Sequence, residues 1–243
     1  MQVQFLGSGD AFGSGGRFNT CIRVMRGAGD VLVDCGATSL VAMRRFDVDP
    51  NEVAAVLVSH LHGDHFGGLP FLIVDGQFRG RTRPLVIAGS PGLGARLEAA
   101  MEVSLPGSST IRRKFEVEVV ELPPDAPRDI AGLEVTPFLV EHACGAPPFA
   151  LRIRCDGKVV TYTGDTEWTD ALIPAAAGAD LLIAEAYFFD RRIKWHLDWA
   201  SLRDHLPAIG AKRVILTHMG PDMLARRHET GCETAEDGMV VEV

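Results

Sequence analysis

No apolar run in this chain approaches the roughly 20 residues needed to cross a bilayer as a helix, so nothing in it reads as a membrane span. Its five cysteines, Cys21, Cys35, Cys144, Cys155 and Cys232, include no Cys-x-x-Cys pair, which excludes a thiolate zinc ribbon and a disulfide scaffold. Basic residues are short too. Lys and Arg total 24 against 32 Asp and Glu, for a net charge of −8. A protein held to nucleic acid mainly by its electrostatic footprint needs the opposite balance. Also missing is any Pro/Gly/Ser linker, charge block or low-complexity tract, so residues 1–243 are expected to form a single domain, with Leu122 to Pro127 as a loop inside it. Met1-Gln2-Val3 enters a strand pattern directly, and the expected location is the cytoplasm. A homodimer is compatible with such a chain, but the sequence does not fix the oligomeric state.

What is present is concentrated chemistry. His60-Leu61-His62-Gly63-Asp64-His65 places three imidazoles and a carboxylate in six residues at the end of the apolar run Val53 to Ser59. Buried without a cation, these groups would repel and desolvate one another, whereas a divalent ion turns the crowding into coordination. His60 and His62 are two apart and point the same way in extended backbone, while Gly63 lets the chain bend before Asp64 and His65. Two sub-sites follow, each needing ligands from elsewhere. His142 follows Leu133 to Val140, Asp165 follows Lys158 to Thr163, and His218 follows Val214 to Thr217. Strands ending in potential ligands are the pattern expected when loops along one sheet edge build a site.

Period-two or continuous apolar runs predict strands at Val3 to Leu6, Cys21 to Met25, Val31 to Asp34, Val53 to Ser59, Leu85 to Ala88, Phe115 to Val120, Leu133 to Val140, Ala150 to Cys155, Lys158 to Thr163, Leu181 to Ala184, Val214 to Thr217 and Met239 to Val243. Helical spacing predicts Ser39 to Phe46, Gly92 to Val103, Thr169 to Ala177 and Trp199 to Ile209. Such a mixture suits layers, with two sheets face to face and helices outside.

In order, spacing and most flanking residues the chain resembles the metallo-β-lactamase-fold hydrolases over nearly its whole length. The resemblance implies an α/β (α+β) four-layer αββα sandwich with metals at the sheet ends. It further implies one metal on His60, His62 and His142, a second on Asp64, His65 and His218, and Asp165 bridging them. The metals would be two divalent ions, zinc first, with manganese or iron as alternatives. Phe5-Leu6-Gly7-Ser8-Gly9, Asp34-Cys35-Gly36 and Leu216-Thr217-His218 look most like the ribonuclease Z and small-phosphodiesterase branch. That branch carries a Glu-Ala pair and a later catalytic His, matched here by Glu185-Ala186 and His196-Leu197-Asp198. By resemblance His196 donates a proton to the leaving oxygen or stabilises developing charge on phosphorus, and Glu185 orients it. Asp198 could instead cap the helix that follows, leaving His196 incidental.

The expected activity is hydrolysis of a small phosphodiester by a hydroxide bridging the two ions, with Asp165, Glu185 and His196 as the catalytic groups. Lactone, β-lactam or sulfate-ester hydrolysis could use the same site, and an iron-binding redox module is the alternative of another class. Two departures count against tRNA maturation. The long Gly/Pro-rich arm expected of ribonuclease Z between His142 and Asp165 has room here only for a tight strand pair, and Arg17-Phe18-Asn19 is similar to, but not the same as, the Arg-Asn loop of those nucleases.

Other features invite weaker readings. Gly7-Ser8-Gly9 lacks dinucleotide-binding spacing and reads as a tight loop over the metal site. Ala88-Gly89-Ser90-Pro91-Gly92 resembles a nucleophile elbow but has Ala where Gly is required, so a turn before a helix is expected. Cys144 reads as a packed thiol. Arg79-Gly80-Arg81-Thr82-Arg83 could meet a phosphate or simply be solvated. Phe149, Trp168, Phe188, Phe189, Trp195 and Trp199 are candidates for lining a partly apolar pocket, with core packing as the alternative.

Overall fold

A computed structural model describes residues 1–243. In chain order the first half forms β1 (Gln2–Gly7), β2 (Cys21–Met25), β3 (Asp30–Val33), α1 (Ser39–Arg45), β4 (Val53–Leu57), α2 (Gly63–Phe66), α3 (Leu69–Phe78), β5 (Leu85–Gly89), α4 (Leu93–Ser104) and β6 (Val117–Glu121). The second half forms β7 (Arg128–Ile130), β8 (Leu133–Leu139), β9 (Phe149–Cys155), β10 (Lys158–Tyr162), α5 (Leu172–Ala176), β11 (Leu181–Glu185), α6 (Trp199–Ile209), β12 (Val214–Thr217), α7 (Pro221–Arg226), β13 (Glu233–Thr234) and β14 (Val240–Glu242).

Two seven-stranded sheets result, ordered β14-β1-β2-β3-β4-β5-β6 and β13-β12-β11-β10-β9-β8-β7. Side-chain alternation explains the layers. On β3, Val31 and Val33 face the second sheet while Leu32 faces the helices, and on β11 Leu181 and Ile183 face inward while Leu182 and Ala184 face outward. The inward set meets Phe149, Leu151 and Tyr162 in the core between the sheets. Outside the first sheet, α1, α3 and α4 contribute Met43, Leu72, Ile73 and Leu97, and outside the second, α5, α6 and α7 contribute Leu172, Leu202 and Met223. This is the expected αββα sandwich of the metallo-β-lactamase fold. No helix is long and apolar enough to cross a membrane.

Several local features bear on the site. Strands β3 to β6 run parallel, as do β10 to β13, so their C-terminal ends gather along one edge of the sandwich. Leu122 to Pro127 carries the chain from the first sheet to the second. Between β9 and β10 the connection is only Asp156-Gly157, both with positive φ (51° and 74°), the backbone of a two-residue hairpin turn. Asp198 does cap α6, its carboxylate accepting the Ser201 N–H at 2.8 Å.

In the basic stretch Arg79 and Thr82 are exposed, as the solvated reading expects, but Arg81 behaves as neither reading supposed. Arg81 is 3% exposed and donates to the carbonyls of Pro50, Asn51, Val53, Arg83 and Pro84, stitching the start of β4 to the start of β5. A planar fork of five donors can satisfy several carbonyls at once, so this guanidinium is structural and turned away from any ligand. Burial pulls its pKa down to about 10.

The missed elements have simple causes. α3 begins with the unbroken apolar run Leu69 to Val74, with Pro70 in its first turn, so it shows no helical period, while α2, α7, β7 and β13 are too short for periodicity to register.

Candidate metal centre

The edge where the parallel strands end collects six of the eight histidines. β4 leads into His60 and His62, α2 holds Asp64 and His65, and the ends of β8, β10, β11 and β12 lead to His142, Asp165, Glu185 and His218. Their donor atoms fall into sets lying within 4.8 Å of one another: His60, His62 and His142, and Asp64, His65, Asp165 and His218. The side chains grouped in the sequence reading are thus brought together. Asp165 stands between them, with Oδ1 3.3 Å from His65 Nε2 and Oδ2 3.4 Å from His218 Nε2 and 3.9 Å from His60 Nε2.

Hydrogen bonds fix which nitrogen each imidazole offers. His65 Nδ1 donates to Asp34 Oδ2 at 2.6 Å, leaving Nε2 facing carboxylate oxygens of Asp64 and Asp165 at 3.2 and 3.3 Å. Ser59 Oγ donates to the same Asp34 oxygen at 2.7 Å and can therefore accept from His60 Nδ1 at 3.1 Å. His142 Nδ1 donates to the Trp195 carbonyl at 2.7 Å, and its Nε2 faces His62 Nδ1 at 3.0 Å.

The result is a buried array of acceptors aimed at acceptors. His60 Nε2, His65 Nε2 and Asp165 Oδ1 have no hydrogen-bond partner although their residues are at most 2% exposed. Buried polar atoms are rarely left so, and cations placed between them would satisfy all three. The donor set of imidazole and carboxylate, with no thiolate, suits divalent ions with open positions. Without a cation the same crowding distorts proton affinities. Burial holds His60 well below the usual imidazole range. His218 is also opposed by burial, but the Asp165 and Asp64 carboxylates push it up to about 9. Asp165 stays ionised despite its burial because His218 and His65 lie against it.

Beside this array lies a third grouping of Asp165, Glu185, His196 and His218. Glu185 Oε1 accepts the backbone N–H groups of Thr166 and Leu197, and Oε2 faces His196 Nδ1 at 3.0 Å. Burial and the charge of Asp165 raise the Glu185 pKa. Burial disfavours the charged form of His196, but its hydrogen bond to Glu185 and the charges of Glu185 and Asp165 together outweigh this and shift its pKa upward. Capping of α6 by Asp198 and placement of His196 at the site therefore coexist.

Backbone geometry serves the same end. Gly164 (φ 61°) turns the chain into Asp165, where a Cβ would meet the Phe149 carbonyl oxygen at 2.7 Å, and at Gly36 a Cβ would run into the Asp64 carbonyl. Trp195 is left-handed (φ 74°), which aims its carbonyl at His142.

Residues 1–238 match the family described as Anti-Pycsar protein Apyc1. The chain belongs to that family. This Apyc1-family chain is 26% identical to ribonuclease Z of Methanosarcina acetivorans, covering 90% of this chain and 87% of that protein. Among solved structures it superposes on the short form of human tRNase Z with a TM-score of 0.81 at 26% identity, covering 100% of this chain and 99% of that one. It also superposes on the metallo-β-lactamase-fold protein YhfI of Bacillus subtilis with a TM-score of 0.80, at 23% identity and 100% and 99% coverage, a likeness of fold. The Apyc1-family chain is thus a metal-dependent hydrolase of the metallo-β-lactamase fold, and its clustered His and Asp side chains are suited to divalent metals.

Sequence reasoning passed over the supports of this centre. Asp34, 0% exposed and with φ 61°, holds His65 directly and His60 through Ser59. Its signal was available: a carboxylate directly after the apolar Val31-Leu32-Val33 of β3. Asp34→Ala is expected to weaken metal binding about 10- to 100-fold, as loss of such orienting partners does, with the fold kept; competition against a chromogenic chelator reads it directly. Unchanged affinity would show that Asp34 serves folding alone.

The aromatic candidates are sorted differently from the sequence expectation. Phe149 (0% exposed) and Trp199 (3%) are core, and Phe188 lies under the Arg191 guanidinium. Trp168 stacks on His205 at 3.7 Å in an adjoining cavity that shares Ile193 and His196 with the metal-facing pocket. The apolar side chains of the metal-facing pocket are Ala11, Phe12, Tyr187 and Ile193. Cys144, read as a packed thiol, is buried and donates to the Ala146 carbonyl.

Proposed function

We propose that this chain hydrolyses a small phosphodiester, with His60, His62 and His142 holding one divalent ion, Asp64, His65 and His218 a second, Asp165 shared between them, and zinc as the first candidate. When bound, such ions supply Lewis acidity and activated water at neutral pH. The observation that carries the reading is His196, with Nδ1 on Glu185, in the same cavity of about 310 Å³ as Asp64, Asp165 and His218.

Glu185 has both backbone donors and a ring nitrogen to hold, so it fixes the imidazole rather than sharing its protons with substrate. With Nδ1–H on Glu185, the other ring nitrogen of His196 is the atom left to face the leaving oxygen. The raised proton affinity shifts that imidazole toward its charged form, the state an acid needs. Cleavage of a phosphodiester expels an alkoxide that requires a proton, which gives His196 a role that opening of a lactone does not demand so strongly. The cavity matches a small ester in size. The two-residue β9–β10 turn leaves no arm there for a large polynucleotide.

Metal content of the protein as purified, together with rates on chromogenic phosphodiester, phosphomonoester, lactone, β-lactam and arylsulfate substrates and on a precursor tRNA, tests this. The expected result is divalent metal with diester hydrolysis at least about 10-fold above every other small substrate, a margin equal to 1.36 kcal/mol of barrier. Precursor tRNA cleaved in preference would install the ribonuclease Z activity of its relatives instead, and bound iron with no hydrolysis would install the redox reading.

A further inference from the structure

The imidazole of His196 is held at one point and can turn about it. Its Nδ1 faces Glu185 Oε2 at 3.0 Å, and no other hydrogen bond reaches the ring. One such bond fixes a position but not a plane. The side chain is also 23% exposed, so protein atoms do not enclose it on every side. Delivery of a proton needs the plane as well, because the free ring nitrogen must point at the departing oxygen.

Tyr187 offers a surface that can set that plane. It follows Glu185 by two residues where the chain leaves β11, and the Ala186 N–H between them continues the ladder onto the Thr217 carbonyl at 3.0 Å. Extended residues two apart share a side, so Glu185 and Tyr187 face the site while the buried Ala186 turns to the helices. Both the Tyr187 and the His196 ring line the metal-facing pocket. Their centroids are 4.9 Å apart with 34° between the planes, an offset packing of face on face. Tyr187 is itself anchored: its N–H donates to the Leu197 carbonyl at 2.8 Å and its carbonyl accepts the Gly220 N–H at 3.0 Å. A Cβ on Gly220 would meet the Tyr187 ring at 3.2 Å, so glycine there leaves the ring its seat. The other rings near His196 are His142 at 5.1 Å and His218 at 5.8 Å, both claimed by the metal centre.

We infer that Tyr187 is a positioning residue, its ring face setting the plane of the His196 imidazole and so the line along which the free ring nitrogen meets the departing oxygen. The inference rests on the reading of His196 as the acid. As the P–O bond breaks, the proton of that nitrogen passes to the departing oxygen and leaves a neutral imidazole, while water supplies the oxygen that phosphorus gains. The phenol hydroxyl takes no part, so the role asks for a flat ring and not for a second donor.

Methyl p-nitrophenyl phosphate and methyl phenyl phosphate differ only in the departing group, and p-nitrophenolate leaves without the proton that phenolate needs. In Tyr187→Leu, kcat for the phenyl diester is expected to fall about 10- to 100-fold, the cost of a group misplaced by about 1 Å. The p-nitrophenyl rate, both KM values and the metal content should be kept, and Tyr187→Phe should restore the phenyl rate. In a His196→Ala background Tyr187→Leu should cost nothing further, as for two residues acting through one step. Equal losses on both diesters, loss of metal, or a further loss in the His196→Ala background would each overturn the inference, giving the ring to packing or coordination. A fall in Tyr187→Phe as large as in Tyr187→Leu would overturn it too, by assigning the role to the hydroxyl. If His196→Ala itself slows both diesters alike, the acid reading fails and takes the inference with it.

Discussion

Asp165→Ala is expected to lose bound metal and activity together, the largest effect of any single substitution in this chain. The carboxylate is 2% exposed and faces His60, His65 and His218 at 3.3–3.9 Å, so it touches both groups of donors at once. Removing it leaves three imidazoles facing a hole and takes away the negative charge that, against burial, raises His218. Merely orienting residues around metals are worth 10- to 100-fold in affinity, so a shared ligand should exceed about 100-fold. Turnover should fall on the order of 10²–10³-fold or more, as when a transition-state stabiliser is removed. Elemental analysis after gel filtration, alongside circular dichroism to verify folding, measures the first effect, and steady-state rates the second. A metal-replete, fully active variant would contradict the shared role, whereas loss of one ion with activity retained would place Asp165 in a single sub-site.

His196→Ala should separate what Asp165→Ala joins. Metal content is expected to stay at the unaltered level while kcat drops about 10²–10⁴-fold, the usual contribution of a positioned acid. The drop should be steepest for diesters with poorly departing alkoxides and shallow for p-nitrophenyl diesters, whose oxygen departs without a proton. That dependence is the informative readout, since a residue acting only through packing would slow both alike. Donor geometry also allows Asp165, Glu185, His196 and His218 to gather around a cation. Metal lost from His196→Ala would therefore assign that imidazole to coordination and overturn its role as acid.

The layered fold and the central side chains could be read from the sequence because both are written in strong local signals. Continuous apolar runs mark β3 and β11, and strands that close on His or Asp at Ser59-His60, Thr163-Gly164-Asp165 and Thr217-His218 name the polar ones. What stayed hidden depends on contacts distant in sequence. Asp34 is 31 residues from His65, and nothing local shows that its carboxylate reaches that ring. Trp195 contributes to the site through its carbonyl, which residue type does not announce. Arg81 reads as a solvated cation until the carbonyls around it are seen. The pocket aromatics were sought beside the ligands in sequence, but Phe12 comes from the loop after β1, 130 residues before His142.

Each set of donors mixes the two halves of the chain. His60 and His62 come from the first sheet's side and His142 from the second's, and Asp64 and His65 likewise meet Asp165 and His218. An ion in either place would be a rivet through the seam of the sandwich, driven home only after both halves have met. Occupancy would then report completed assembly, and a protein stripped by chelation would be free to part first along this rim while the opposite rim, where Arg26 donates to the Ala131 and Gly132 carbonyls, stays shut.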